Sequence, residues 1–419
     1  MFFTTDKINA QNFVKDSLKI NIQQAEKIFR NNNFQLLAQK YNIDAQKALI
    51  IQARLWPNPN LSLDKGPVIP IHDPLSNYPY SNFFLNSENV ASISQLIVLA
   101  GKRNKQIKLA EANAFNSEFQ FLDLLRSLRY SLRSDFYNIY YLQQSARVYA
   151  AEIKALQQIV HAFSQQLGKG YIAEKEVVRV EAQLYSFQAE YIGLLNQIKN
   201  LESQLRMLMQ VNPNIYICPL VDSELLNSLD PSKYSIAELL DSALNNRTDL
   251  KIAKSNTTIN RLNYDYQKSL SVPDLTASFS YDKQGSYATN FNSIGLSMDL
   301  PFFNRNQGNI KSAKIMIDNT AVLQKNIEVM VEENVSNALE IAYEQNKLFQ
   351  TIDTKFSENF DRLVLEVLIN YQKRNIGLLD FLDFYDSYKQ NVLQVNTIKY
   401  NRVQAFEDLN FYTATNLFN

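Results

Sequence analysis

The side chains that most often carry chemistry are few here. Cys218 is the only cysteine, so neither a disulfide within the chain nor a cysteine-based metal site is possible. The 2 histidines, His72 and His161, are far apart and read as a loop histidine and a helix-surface histidine. The 6 methionines include Met207, Met209 and Met298. Met207 and Met209 stand two apart, so they do not face one another on a helix, and no metal-ligand set emerges. Carboxylate pairs such as Glu332–Glu333 have no histidine or lysine constellation for acid–base work and read as a solvated helix face. Walker A, G-x-S-x-G, H-E-x-x-H and G-x-G-x-x-G patterns are absent. The expectation is a protein that is not an enzyme and that holds no cofactor and no resident metal.

What positions these residues follows from the residues that break helices. The 419-residue chain has 9 glycines, far below the roughly 7% of ordinary proteins. Of its 11 prolines, none lies between Pro79 and Pro213 and none follows Pro301. Proline removes a backbone donor and clashes one turn back, so such tracts predict very long helices. A β-sandwich or a doubly wound nucleotide fold, with its glycine-rich turns, is excluded. Hydrophobic residues make up 46%, enough for a core. Lys+Arg and Asp+Glu both number 42, and a zero balance argues against nucleic acid as a partner. No apolar run is long enough for a transmembrane helix. The N-terminus, MFFTTDKINAQNF, lacks a basic region followed by an apolar one, so no signal peptide is expected in this numbering, and no nearby cysteine offers a lipid attachment.

The chain repeats itself. IQQAEKIFRNNNFQLLAQ from Ile22 recurs in outline as IAELLDSALNNRTDLKIA from Ile236. WPNPNLSL at Trp56–Leu63 is matched by VPDLTASF at Val272–Phe279, and SISQLIVLAGKRN at Ser92–Asn104 by GLSMDLPFFNRNQ at Gly295–Gln307. LGKGYIAEKEV at Leu167–Val177 answers YQKRNIGLLDF at Tyr371–Phe381. The offset is about 214 for the first pair and about 203–205 for the later ones. The expected organisation is an N-terminal segment 1–19, a first repeat 20–210 (helix, two strands, long helix, helix), a linker 211–232 with three prolines, and a second repeat 233–419.

Strands are expected at about 58–70, 88–100, 273–283 and 291–301. In the last two, Leu275, Ala277, Phe279, Tyr281 and then Ile294, Leu296, Met298, Leu300 alternate with polar residues. Period two signals a strand with one apolar and one polar face. Such strands fit either a half-buried sheet or a transmembrane barrel with its apolar face toward lipid. Their length and the aromatics near their ends favour the barrel: Trp56, Phe302 and Phe303 at one end, and Tyr78, Tyr80, Phe83 and Phe84 near the other. Four strands cannot close a barrel, and an open edge is intolerable in lipid. Other copies of the chain must complete it, and a trimer would give 12 strands.

The helices carry heptads. Val177, Val180, Leu184, Phe187, Tyr191, Leu194, Ile198, Leu201, Leu205 and Leu208 alternate spacings of 3 and 4, the mark of a supercoiled pair. Leu142, Ala146, Tyr149, Ile153, Leu156, Val160, Phe163 and Leu167 do the same on a helix expected from about Asn104 to Gln166, on the order of 95 Å long. The second repeat predicts helices at about 306–370 and 376–415. Turns fall at Leu167–Ile172 and Gln372–Gly377, and strands meet helices at Ala100–Lys105 and Asn304–Gly308. Gly193, inside a seam, would allow close helix approach.

In order, spacing and duplication, WPNPNLS, SISQLIVLAGKRNKQ, LPFFNRNQGNI and NIGLLDFLDFYDSY make the chain resemble the TolC-type outer membrane efflux proteins over about 20–415, nearest the CusC/CzcC-type branch. The resemblance implies a mainly α fold with a transmembrane β-barrel part: a homotrimer with a 12-stranded barrel in outer membrane lipid and a helical tunnel in the periplasm. It also implies a periplasmic adaptor and an inner membrane pump as partners. The family pattern Tyr-x8-Asp-x2-Asp maps onto Tyr371, Asp380 and Asp383. Spacing i, i+3 puts both carboxylates on one helix face, where a trimer would stack them as two acidic rings favouring cations. Without the resemblance they read as two surface aspartates. Glu174 and Glu176 occupy the matching region of the first repeat and would add charge. The family's latch arginine, four residues before the first aspartate, is replaced by Ile376, with Arg374 the nearest arginine. The alternative reading is a soluble coiled-coil structural or adaptor protein with small sheets. It does not explain strands that interrupt the heptads twice at equivalent places.

Overall fold

The computed structural model describes residues 16–65, 89–284, 288–352 and 375–418, with parts of 363–373. The fold is mainly helical. Strand β1 (Ser17–Ile20) leads into helices α1 (Ile22–Asn32) and α2 (Phe34–Arg54). Strands β2 (Asn60–Lys65) and β3 (Asn89–Ile97) follow, then helices α3 (Lys102–Gly168) and α4 (Glu174–Met209). Strand β4 (Tyr216–Pro219) and the short helix α5 (Ser223–Ser228) come next. Helices α6 (Ile236–Asn246) and α7 (Thr248–Ser269) then lead to strands β5 (Leu275–Gln284) and β6 (Thr289–Met298) and helices α8 (Gln307–Gln350) and α9 (Leu378–Thr413). Among the described residues no helix is long and apolar enough to cross a membrane.

The helix-pair motif that opens each half has the same start. Asn21 accepts from the Gln24 amide while the Gln24 side chain accepts from the Asn21 amide, and Ser235 and Glu238 do likewise before α6. Each box satisfies two of the donors that a helix leaves open. The Asn-rich interruption is a break of a single residue. Asn33 separates α1 from α2, its Oδ1 accepts from the Leu36 amide, and its Nδ2 donates to the Leu208 carbonyl of α4. Arg247 separates α6 from α7 and donates to Asp249.

The chain divides into two compact units. The first is built from Met1–Lys40, Phe121–Asp249 and Glu328–Asn419. One of its cores gathers Phe29, Leu132, Phe136, Ile139, Leu205, Met209 and Ile217. The segment 211–232, which reads as a linker, contributes to it: β4 pairs in parallel with β1, Ser17 opposite Tyr216 through Ile20 opposite Pro219. The Gln143 side chain of α3 donates to the Ile217 carbonyl. These two strands carry no period-two signal because they are four residues long and held on their inner side alone. A second core joins Leu156, Ile159 and Phe163 of α3, Val177, Val180, Leu184 and Phe187 of α4, and Phe381, Leu382 and Tyr385 of α9. All four α4 heptad positions named from the sequence up to Phe187 are thus buried, and the seam closes on three helices rather than two.

Two expectations need correction. A single helix over about 306–370 is not seen, because α8 ends at Gln350. The amides of Thr351 and Ile352 turn back to Leu348 and Phe349, and the Thr351 hydroxyl donates to the Leu348 carbonyl. The run Thr351-Ile352-Asp353-Thr354 is poor in helix formers, and a hydroxyl bonding its own turn competes with helix continuation. Gly193 does not serve close packing within the chain, since a Cβ there would meet nothing within 4 Å. Gly295 is the glycine that does: a Cβ would lie 2.6 Å from Ser278 Oγ across the strand pair.

The second unit comprises Tyr41–Gln120 and Leu250–Ile327. It holds a four-stranded antiparallel sheet in the order β2-β3-β5-β6. Register sorts its faces. Leu61, Ile93, Phe279 and Ile294 form one cross-strand row, and Ser62, Ser92, Ser280 and Ser293 form the adjacent row on the other face. The serines are paired, Ser62 to Ser92 at 2.8 Å and Ser280 to Ser293 at 2.6 Å. The segment Val90–Leu99, mixed as a string, is thereby resolved into Ser92 and Ser94 on the hydroxyl face and Ile93 and Ile97 on the apolar one. The apolar face is bare in the single chain: Leu61, Leu63, Ile294 and Leu296 are each at least two-thirds exposed.

Candidate functional site

Asp380 and Asp383 lie at the start of α9, and the turn before it is set by apolar residues. Phe381, between the two aspartates, is fully buried. Tyr371 stacks on its ring at 4.6 Å, Tyr385 lies 4.9 Å away, and Phe163 of α3 lies 5.8 Å from Tyr371. Anchoring Phe381, Leu382 and Tyr385 inward leaves Asp380 and Asp383 on the outer side, both exposed. Gly377 is the N-cap of α9 and makes no side-chain cap. Asp380, at the third helical position, brings its Oδ2 to 3.4 Å from where a Gly377 Cβ would stand. A carboxylate there also complements the open amides of the helix start.

Glu174 and Glu176 occupy the first turn of α4, with Ala173 as an N-cap that has no side-chain bond. Glu176 holds the third helical position, as Asp380 does in α9. Burial pushes the Tyr371 phenol up to about 12, with the negative charge of Glu176 adding to it. Tyr371 and Glu176 are therefore neighbours, and the two acidic helix starts belong to one locality of the first unit. Arg179, which is exposed, holds in α4 the position that Asp383 holds in α9. Ile376, at the position where a latch arginine is expected, is packed against the second core. Arg374 lies outside the described residues, as do His72 and the aromatic residues Tyr78, Tyr80, Phe83 and Phe84.

In the second unit Trp56 is exposed and carries the Arg103 guanidinium 4.5 Å above its ring. Arg103 also donates to the Arg54 carbonyl at the end of α2. Phe302 and Phe303 are exposed, Phe303 almost completely. The strand-to-helix junction after β3 is built on left-handed Ala100 and Gly101. Asp274 clamps it, accepting from Lys102 Nζ at 2.7 Å and from the Leu99 amide at 2.9 Å. Neither Arg103 nor Asp274 stands out in the sequence, because each acts on a residue brought to it by the fold. Among the described residues no three histidine, cysteine or acidic side chains stand together as a metal site.

Comparison with known proteins bears on this arrangement. Residues 27–209 match the family model described as outer membrane efflux protein. The cobalt-zinc-cadmium resistance protein CzcC of Cupriavidus metallidurans is 22% identical over 297 residues, 70% of this chain and 66% of that relative, a little under two-thirds of its length. The crystal structure of CusC superposes with a TM-score of 0.73 at 14% identity, over 95% of this chain and 93% of that one. Over residues 27–209, somewhat under half of its length, the chain is similar to the outer membrane efflux proteins. Two further solved structures share the fold. The CmeC outer membrane channel of Campylobacter jejuni gives a TM-score of 0.74 at 14% identity, covering 94% of this chain and 85% of that one. The open state of the Neisseria gonorrhoeae MtrE outer membrane channel gives 0.70 at 17%, covering 95% and 89%.

Proposed function

We infer that this protein is the outer membrane channel of a tripartite efflux pump, a passive exit duct loaded by an inner membrane transporter through a periplasmic adaptor. The observation that carries this reading is the four-stranded sheet, with a bare apolar face, a hydroxyl-lined opposite face and two open edges. Its strands alternate in direction, so β2 of a second copy laid beside β6 would again be antiparallel. Three copies give 12 strands, which close without an edge as lipid requires. The apolar row through Leu61, Ile93, Phe279 and Ile294 then meets lipid, and the serine row meets water. Trp56, Phe302 and Phe303 suit the boundary between lipid and water, where aromatic rings concentrate. The two-fold run of helix pair, strand pair and long helices is read as an internal tandem duplication, with repeats at 20–210 and 233–419.

Asp380 and Asp383, repeated by three-fold symmetry, would form two stacked acidic rings at the tunnel entrance, with Glu174 and Glu176 beside them and Tyr371 holding the turn. Rings of carboxylates attract cations and repel anions. With Ile376 packed in the core, the closed state does not rely on an arginine at that position. The cargo is a metal ion or a drug-sized compound selected by the inner membrane transporter. The name of CzcC favours metal, while the described residues offer no ligand set.

Single-channel recording in planar bilayers tests this. The purified protein should form cation-preferring channels blocked by multivalent cations added on the helical side. Asp380→Asn with Asp383→Asn should abolish most of the block. Unchanged selectivity and block in that double variant would remove the ring assignment, and failure to form channels at all would remove the duct.

A further inference from the structure

We propose that Glu152 is a buried proton-binding site, and that the proton it carries holds the first turns of α9 against α3 and α4. Glu152 lies on α3 with only 3% of its surface exposed, and neither of its carboxyl oxygens has a hydrogen-bond partner. The groups facing it come from all three helices of the second core. Tyr149 comes from α3, Glu190 from α4, and Asp386, Lys389 and Tyr385 from α9. Lys389 is the one cation among them. Its ammonium is already shared, 2.9 Å from Glu190 and 3.0 Å from Asp386, and it sits 4.1 Å above the Phe187 ring.

The other two carboxylates are well supplied. Glu190 also accepts from the Tyr149 hydroxyl at 2.7 Å and from Ser186 at 3.3 Å, and Asp386 accepts from Gln390 at 2.7 Å. Ionising Glu152 would therefore place a third negative charge, with no donor of its own, beside two carboxylates that have taken the only lysine. A buried charge without a partner is strongly unfavourable, and carboxylates sharing a site cannot all ionise easily. Burial is the main cause that pushes the Glu152 carboxyl up to about 8, with Asp386 and Glu190 adding to it and Lys389 opposing. The neighbouring phenols are held higher still: burial, then Glu152, pushes Tyr385 up to about 12, and Tyr149 is raised by burial and its bond to Glu190. Glu152 is thus the group of this cluster that titrates nearest neutrality.

The consequence has a definite sign. The folded chain holds this proton more tightly than an unfolded one, whose glutamates titrate near about 4.3. The stabilisation is complete below that value and is lost as pH rises through about 8. It falls first on α9, because Asp386 and Lys389 lie one and two turns beyond Phe381 and Leu382, which dock the same helix into the same core.

Hydrogen exchange on the full-length chain in detergent reads this directly, whether or not the protein conducts. After correction for intrinsic exchange, opening of residues 378–390 should rise by up to about tenfold per pH unit between pH ~6 and ~7.5. In Glu152→Gln, a neutral isostere of the protonated side chain, it should be flat over that range. Asp386→Asn removes a charge that raises the Glu152 carboxyl and frees part of the Lys389 ammonium, so the rise should level off at a lower pH than in the wild type; an unchanged profile, or one shifted to higher pH, overturns the shared cluster. An infrared carbonyl band of a protonated carboxyl should disappear on alkaline titration and be missing from Glu152→Gln. Identical pH dependence of opening in the wild type and Glu152→Gln, or a band that survives that substitution, overturns the proposal.

Discussion

At the scale of single residues, Arg133 does the most to join distant parts of the first unit. It is buried on α3, donates two bonds of 2.7 Å to Glu407 of α9 and one of 2.9 Å to Glu26 of α1. Arg129 adds a 2.8 Å bond to the same Glu26 oxygen. Burial works against the Glu26 charge, yet the bonds from Arg129 and Arg133 prevail and hold its carboxyl below the usual range. Removing one partner strands the others, so Glu407→Ala should destabilise the folded chain by about 3–5 kcal/mol. Loss of helical circular dichroism on heating in detergent measures it. The stability that Glu26 contributes is present above its ordinary titration range and is lost as pH falls through its lowered value. Glu26→Gln should therefore flatten the acid limb of the same melting curve. None of this network is legible in the sequence: Glu26, Arg133 and Glu407 are ordinary helical residues until the fold brings them together, and the same holds for Glu152 and Lys389. Asp380 and Asp383 are legible only through the family pattern, since two aspartates at i, i+3 describe any solvated helix face.

Among the elements, the helices are the most readable because their signal is redundant. The heptads of α3 and α4 span many turns, and the capping pairs Asn21–Gln24 and Ser235–Glu238 mark the starts of α1 and α6. Strands β5 and β6 announce themselves by alternation, whereas β1 and β4 lie hidden in a stretch whose prolines suggest a linker. The break of α8 at Thr351 shows how a hydroxyl and β-branched residues can end a helix without proline or glycine. The junction from β3 to α3 depends on Asp274, with Lys102 buried behind it. Asp274→Ala should cost about 2–3 kcal/mol by leaving the ammonium unpaired. Asp274→Asn, which can still accept from the Leu99 amide, should lose less. Protease resistance of residues 89–120 in detergent ranks the two, and equal sensitivity would show that the clamp contributes nothing.

For the whole molecule, the sheet decides what the chain can be. Among the described residues its edge strands β2 and β6 each pair on one side only, and the proposed closure by identical copies would pair the other. Native mass spectrometry from detergent should give three chains per particle, stable to dodecyl sulfate until heated; a monomer would leave the edges open and remove the 12-stranded reading. The first unit is assembled from the beginning, middle and end of the sequence, Met1–Lys40, Phe121–Asp249 and Glu328–Asn419. Arg133 cannot meet Glu407 until the polypeptide has grown by a further 274 residues. A polypeptide threaded N-terminus first, through a ribosome or a membrane pore, thus carries Glu26 and Arg133 for most of its passage without their last partner. The second core, which needs Phe381, Leu382 and Tyr385 of α9, can be completed only once that helix has emerged, so the order of synthesis itself keeps this part of the chain open during delivery.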